Sequence, residues 1–198
     1  MGKEEHINKE TGIWDWRLAT MNHKCDYLLA GAIATLFKPK RFADLGCGNG
    51  EYCHIFHYGY RWPIVNGYEG TDNIQWVSVY NNIQKIDLGK EAKIKEKYDL
   101  VMSLEVGEHI PENKENIFLD NVTNFASRDV VLSWAVPGQG GKGHVNEKYN
   151  KWVIDRMNDR NFSYDECLSN YLRKHSQLRW FKNTIMVFKY VEPKTSNE

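Results

Sequence analysis

Glu105, Glu108 and His109 stand within five residues of one another in SLEVGEHIP (Ser103 to Pro111), directly after the apolar run KYDLVM. Two carboxylates beside one imidazole repel each other unless something cationic lies between them. In a helical turn that begins at Glu105, Glu108 and His109 fall at i+3 and i+4, on one side. A hard divalent cation accepts carboxylate oxygens and tolerates imidazole, so the grouping reads as a metal site. A later loop, PGQGGKGHVN (Pro137 to Asn146), has five residues that are Gly or Pro and carries His144. Glu105, Glu108, His109 and His144 would then be four ligands, leaving positions for substrate oxygens or water. The competing reading has Glu105 supporting a cofactor, Glu108 capping the next helix near Pro111, and His144 on the surface. Without a metal, His109 or His144 is the candidate general base. The remaining histidines, His6, His23, His54, His57 and His175, show no partner pattern.

A second grouping lies upstream, where a strand-like run ends in FADLGCGNG (Phe42 to Gly50). Gly46, Gly48 and Gly50 permit a tight turn and close backbone approach before a helix from Glu51. A dinucleotide fingerprint would want its third glycine at position 51. Glu51 stands there instead, and a carboxylate suits a pyrophosphate poorly. Asp44 offers an anion beside the loop, which suits a ligand carrying an amino group and a sulfonium. Glu69, nineteen residues after Gly50, ends GYEGT and is placed to accept from ribose hydroxyls. Asp87, after IQKI, is placed to meet an adenine amino group.

With these residues in view, the chain resembles the class I S-adenosylmethionine-dependent methyltransferases over roughly residues 22–191. DLGCGNG (Asp44 to Gly50) is the strongest motif. The resemblance implies that the loop backbone and Asp44 hold the methionine part, Glu69 the ribose and Asp87 the adenine. Cys47, Leu88 and Leu104 complete the cofactor pocket it implies. It also implies a Rossmann-like α/β fold, a seven-stranded, mostly parallel sheet with an antiparallel last strand. ExxEH (Glu105 to His109) resembles the metal motif of the ubiquinone-biosynthesis O-methyltransferases. It is similar also to that of the small-RNA 2′-O-methyltransferases, which add a later histidine. That likeness implies a magnesium- or manganese-type ion gathering acceptor oxygens, with Glu108, His109 and His144 at the chemistry.

The elements that must position these groups alternate. Met21, Cys25, Leu28, Leu29, Ala32, Ile33 and Leu36 recur at helical spacing, predicting one amphipathic helix stopped near Pro39. Strand-like runs follow: RFADL (41–45), PIVNGY (63–68), IQKI (83–86), YDLVMSL (98–104) and DVVLSW (129–134). A helix opened by Pro111 carries Phe118, Val122, Phe125 and Ala126, and another carries Tyr149, Trp152, Val153 and Met157. Strand–helix alternation implies right-handed crossovers and a parallel sheet covered on both faces. LRWF (178–181) and TIMVFKYV (184–191), joined by Lys182-Asn183, predict a closing hairpin. Ligands of such sheets sit beyond the carboxyl ends of the strands.

Composition bounds the rest. The 198 residues predict a single domain, 1–198, with an irregular arm over 1–20 and a flexible tail over 192–198. Lys plus Arg and Asp plus Glu are each 26, so no basic surplus favours duplex nucleic acid or long RNA. No apolar run reaches the ~20 residues of a membrane helix. The four cysteines form no CxxC pair, which with the polar N-terminus predicts a cytoplasmic protein. Trp14, Trp16, Trp134 and Trp152 are candidates for an aromatic shelf at the mouth. The expected activity is metal-assisted O-methylation of a small polar acceptor such as a sugar or glycan end. The alternatives are a metal-free N- or O-methyltransferase of a small metabolite and a non-catalytic cofactor-binding subunit.

Overall fold

The apolar runs that alternate with helical patterns become the strands of one seven-stranded sheet. A computed structural model describes residues 7–193, so the expectations for 1–6 and 194–198 lie outside the described residues. The strands are β1 (Arg41–Leu45), β2 (Ile64–Glu69), β3 (Ile83–Lys85), β4 (Tyr98–Ser103), β5 (Ala126–Leu132), β6 (Phe162–Tyr164) and β7 (Met186–Tyr190). Their order is β3-β2-β1-β4-β5-β7-β6. The first five pair in parallel, while β7 runs antiparallel to both β5 and β6. This is the Rossmann-like fold expected. The strand order reverses at β1, between β2 and β4, where a crevice opens beyond the strand ends.

Alternation along the strands loads both faces. On β1, Phe42 joins one apolar layer and Ala43 and Leu45 the other; on β4, Leu100 and Met102 face the first and Val101 the second. Helix α2 (Tyr27–Leu36), α3 (Glu51–His54) and α6 (Glu166–His175) cover the first layer. Helix α4 (Glu115–Phe125) and α5 (Asn150–Asn158) cover the second.

Four expectations are corrected. The first helix does not run through from Met21. It is divided into α1 (Trp16–Asn22) and α2, because Asp26 caps α2 by accepting from Leu29 N–H at 2.9 Å. Met21 and Leu28 are consequently exposed, at 77% and 57%. The arm is not irregular throughout either, since it contains α1 and a bridge between Ile7 and Trp14. The closing hairpin is different: residues 178–181 form no strand, and Phe181–Thr184 is a single helical turn, α7. On its outer side the antiparallel partner of β7 is β6, three residues long, too short to announce itself by alternation. Trp134, past the end of β5, is fully buried and donates from Nε1 to the Asn146 carbonyl at 2.6 Å, so it is core and no shelf.

Candidate active site

The glycine loop turns on Gly46, whose φ of +78° belongs to the left-handed region. A Cβ there would meet Val106 Cγ2 at 2.4 Å, so only glycine lets this loop lie against the turn after β4. Between the two lies a cleft of about 510 Å³. Of the residues expected to hold a cofactor, Asp44, Gly46, Cys47, Gly48, Glu69, Asp87, Leu88 and Leu104 all line it. Gly50 does not; it is the left-handed cap from which α3 starts, packed against Tyr80 and Ile83.

The carboxylates of this half differ in how they are held. Glu69 Oε2 accepts from Gly48 N–H at 2.9 Å, while Oε1 accepts from Gly70 N–H, Thr71 N–H and Thr71 Oγ1. Oε1 is thus filled, and Oε2 keeps one lone-pair direction for a ligand. Asp87 accepts from Gly89 N–H and pairs with Lys90 at 3.1 Å. Asp44 is almost unpartnered: it is 3% exposed, and Cys53 Sγ stands 3.9 Å from Oδ2. Burial, with Glu69 adding repulsion, pushes its carboxyl up to about 8. A buried anion so poorly compensated fits a cationic ligand group.

At the end of β4, Glu105 does not begin a helical turn as expected. Its φ is +57°, and a single 3-10 turn runs from Gly107 to His109. Ser133 fixes this conformation, accepting from Glu105 N–H and donating to Glu105 Oε1, both at 2.8 Å. The later loop is stitched to the same place, because Val145 and Asn146 N–H both donate to the Glu108 carbonyl. His144 therefore arrives beside Glu108, with Nε2 4.0 Å from Oε1. Ligating atoms of Glu108, His109 and His144 all lie within 4.8 Å of one another. Glu105 is outside that trio, occupied by Ser133 and by Gln139 Nε2 at 3.3 Å.

Glu108 is 0% exposed, and neither carboxylate oxygen has a well-formed hydrogen bond among the described residues, although its own N–H, the Ala135 N–H and the Glu105 carboxylate lie close by. Burial and then Glu105 push its carboxyl well above the ordinary range. It does not cap the helix after Pro111. His109 Nδ1 lies 3.1 Å from the Gly143 carbonyl and His144 Nδ1 2.9 Å from Glu147 Oε1. Those oxygens only accept, so Nδ1 carries a proton in each ring, and Nε2 is the nitrogen left for a ligand. Burial is the largest influence on His109 and takes it down to about 4, so its ring is neutral. These are the forms a cation needs.

Sequence reasoning missed several contributors. Glu147, three residues after His144, signalled itself only by that spacing. His23, read as partnerless, lines the cleft and packs on Gly48. Trp14, unlike these, was expected as part of an aromatic shelf at the mouth, and it does line the cleft, edge-on to His109 at 5.0 Å.

The fold and the glycine-loop cleft together define a nucleotide-cofactor enzyme of the doubly wound class. The methyltransferase domain family matches residues 17–181, and the chain belongs to it. In family and fold it is an S-adenosylmethionine-dependent methyltransferase. Among similar solved structures is the magnesium protoporphyrin IX methyltransferase of Synechocystis PCC 6803 with bound S-adenosylhomocysteine. It is 17% identical over 89% of this chain and 93% of that one, with a TM-score of 0.61. The sugar N-methyltransferase KedS8 of a Streptoalloteichus species is 11% identical, covering 90% and 89%, with a TM-score of 0.63. The methyltransferase domain of bacterial CtHen1 is 16% identical, covering 88% and 100%, with a TM-score of 0.58. At these identities the likeness is one of fold. No curated protein sequence matches the chain significantly. Among the described residues no helix is long and apolar enough to cross a membrane.

Proposed function

We propose that the protein methylates a hydroxyl of a small polar acceptor, such as a sugar or glycan end, with help from a divalent cation. The observation that carries this reading is Glu108, a buried carboxylate with two unpartnered oxygens, whose ligating atom lies within 4.8 Å of those of His109 and His144. Hydrophobic burial alone gives no reason for that grouping, since even a neutral buried polar group left without hydrogen bonds costs roughly 1–3 kcal/mol.

S-adenosylmethionine supplies a methyl group on a sulfonium, ready for in-line displacement. Asp44 meets its ammonium, the open lone pair of Glu69 takes one ribose hydroxyl, and Asp87 faces the adenine. Alignment is the main contribution left to the protein. A divalent ion, when bound, supplies Lewis acidity of the kind that takes water from about 15.7 to about 7. Glu108, His109 and His144 hold it, and Glu105 adds charge from beside them. Imidazole ligands tilt the choice towards manganese over magnesium. The cleft of about 510 Å³ must admit both cofactor and acceptor, which favours a small molecule or a chain end. A zero net charge makes duplex nucleic acid a poor partner.

The second reading is metal-free transfer with His109 as base. A base near 4 accepts a proton weakly at neutral pH, so His109 suits a ligand better than a base. The test is a library of sugars, catechols and RNA ends assayed with labelled cofactor, with and without manganese or magnesium. Chelation is expected to abolish transfer and readdition to restore it. Full transfer after exhaustive chelation rejects the cation, and transfer only to amines rejects O-methylation.

A further inference from the structure

Glu147 lies between the glycine-rich loop and α5, and its carboxylate turns back into that loop. Its Oε1 accepts from His144 Nδ1 at 2.9 Å and from Gly140 N–H at 2.8 Å; Oε2 accepts from Gly138 N–H at 2.8 Å. The side chain is 20% exposed and that of His144 11%. The loop's other ties run from Gln139 to Val136 and Glu105, from Gly143 to His109, and from Val145 and Asn146 to the Glu108 carbonyl, and none of them bonds the His144 ring or the Gly138 and Gly140 N–H groups. Gly138, Gly140 and Gly143 all have positive φ, and a Cβ on Gly138 or Gly140 would meet nothing within 4 Å. Such a segment has a large conformational entropy to lose. Glu147 is the group that draws the Gly138–Gly140 turn and the imidazole onto one point.

From this geometry we propose that Glu147 is the positioning residue of the cation site, clamping His144 and the loop over the cleft as one unit. The inference rests on the cation reading above. Because a carboxylate only accepts, the contact keeps a proton on His144 Nδ1 and turns Nε2 towards Glu108, 4.0 Å from its Oε1. It also stops the ring from rotating about its side-chain bonds. A carboxylate behind a ligating imidazole typically changes metal affinity by about 10–100-fold. Opening of the loop would release the Gly138 and Gly140 contacts and His144 together, so the third ligand is in place only when the loop is closed.

The test uses the full chain as wild type, Glu147→Gln, Glu147→Ala and His144→Ala. Manganese affinity is read from the electron paramagnetic resonance of the free ion, and ligand identity from the visible spectrum of the cobalt form. Nitrogen-15 imidazole shifts in metal-free protein read the His144 tautomer. Glu147→Ala is expected to weaken manganese binding about 10–100-fold and to move the cobalt spectrum towards that of His144→Ala. Glu147→Gln keeps one acceptor oxygen and should fall between. The metal-free Glu147→Ala protein should lose its preference for the Nδ1–H tautomer, while cofactor affinity stays near wild type. Unchanged tautomer and unchanged manganese affinity in Glu147→Ala would overturn the role given to Glu147. A wild type that takes up neither manganese nor cobalt, yet loses the tautomer preference in Glu147→Ala, would overturn the cation reading alone.

Discussion

Glu108 Oε1 and His144 Nε2 stand 4.0 Å apart, beyond hydrogen-bond reach but within the span of two ligands on one ion. Ligand bonds of about 2.1 Å place two donors roughly 3 to 4.2 Å from each other, from neighbouring to opposite positions. Glu108→Gln replaces a carboxyl that burial and Glu105 make costly to ionise with a neutral group of nearly the same shape. Without divalent ions, and at a pH alkaline enough to ionise Glu108, this variant is expected to be more thermostable than wild type, by about 2–4 °C per kcal/mol relieved. It should also lose the rise in Tm that manganese gives the wild type, and most of its turnover. A metal-free variant that melts below wild type would show that Glu108 has a stabilising partner in the protein.

Asp44 carries the pH dependence of the cofactor half. Its carboxyl is pushed up to about 8 by burial and then by Glu69, so at neutral pH the free protein holds a proton there. An ammonium docked against it favours the anion, and binding should expel that proton. Titrations of S-adenosylmethionine near pH 7, in buffers of different ionisation heat, are expected to show proton release in wild type and less in Asp44→Asn. For stability the sign is opposite to that of an ordinary salt-bridged acid. A raised pKa means the folded state binds the proton more tightly, so this contribution is complete below the usual carboxylate range. It is lost as pH rises through about 8. Asp44→Asn should flatten that decline, and an unaltered slope would remove Asp44 as its source.

The legible parts of this protein were those whose physics is local. Alternation from Phe42 to Leu45 and from Leu100 to Met102 marks strands loaded on two faces, and the glycines after Asp44 mark the turn between strand and helix. The illegible parts depend on partners far along the chain. Apolar spacing carried a helix through Asp26 because its cap uses a carboxylate whose other bonds come from residues 176–178. Glu105 looked like the start of a helical turn because nothing nearby announces Ser133, twenty-eight residues later, as the group that holds it left-handed. Strand β6 is fixed by its register on β7 and not by its own three residues.

Gly46 ties the two halves of the site together. Its Cβ position is taken by Val106, in the turn that carries Glu105 and Glu108, and its φ of +78° disfavours any side chain. Gly46→Ala combines overpacking with backbone strain, and about 1–3 kcal/mol of destabilisation is expected. Calorimetry should show a Tm lowered by about 2–4 °C for each of those kcal/mol. Because the Val106 turn must give way, cofactor affinity and turnover should fall together. Loss of cofactor affinity with turnover intact at saturation would mean that the two loops move independently.

Asp26 is the buried knot that seats α2 on the sheet's first layer. Its Oδ1 caps Leu29 N–H at 2.9 Å, and its Oδ2 accepts from Ser176 Oγ at 2.5 Å, Gln177 N–H at 2.7 Å and Leu178 N–H at 2.9 Å. One carboxylate therefore joins the start of α2 to the segment that follows α6. Asp26→Ala deletes a cap worth about 1 kcal/mol and strands three donors, each costing about 1–3 kcal/mol where water does not reach. These losses are not additive, so a total of about 3 kcal/mol and a Tm fall of about 6–12 °C are expected. Burial works to raise the Asp26 carboxyl, but the bonds from Ser176, Leu178, Leu29 and Gln177 outweigh it and hold it below its ordinary value. Stability from this group is therefore present above the usual carboxylate range and disappears as pH falls through it. Chemical denaturation between pH 3 and pH 6 should show a steeper loss in wild type than in Asp26→Ala. Equal slopes, or an alanine variant melting within 2 °C of wild type, would mean that water replaces the carboxylate at no cost.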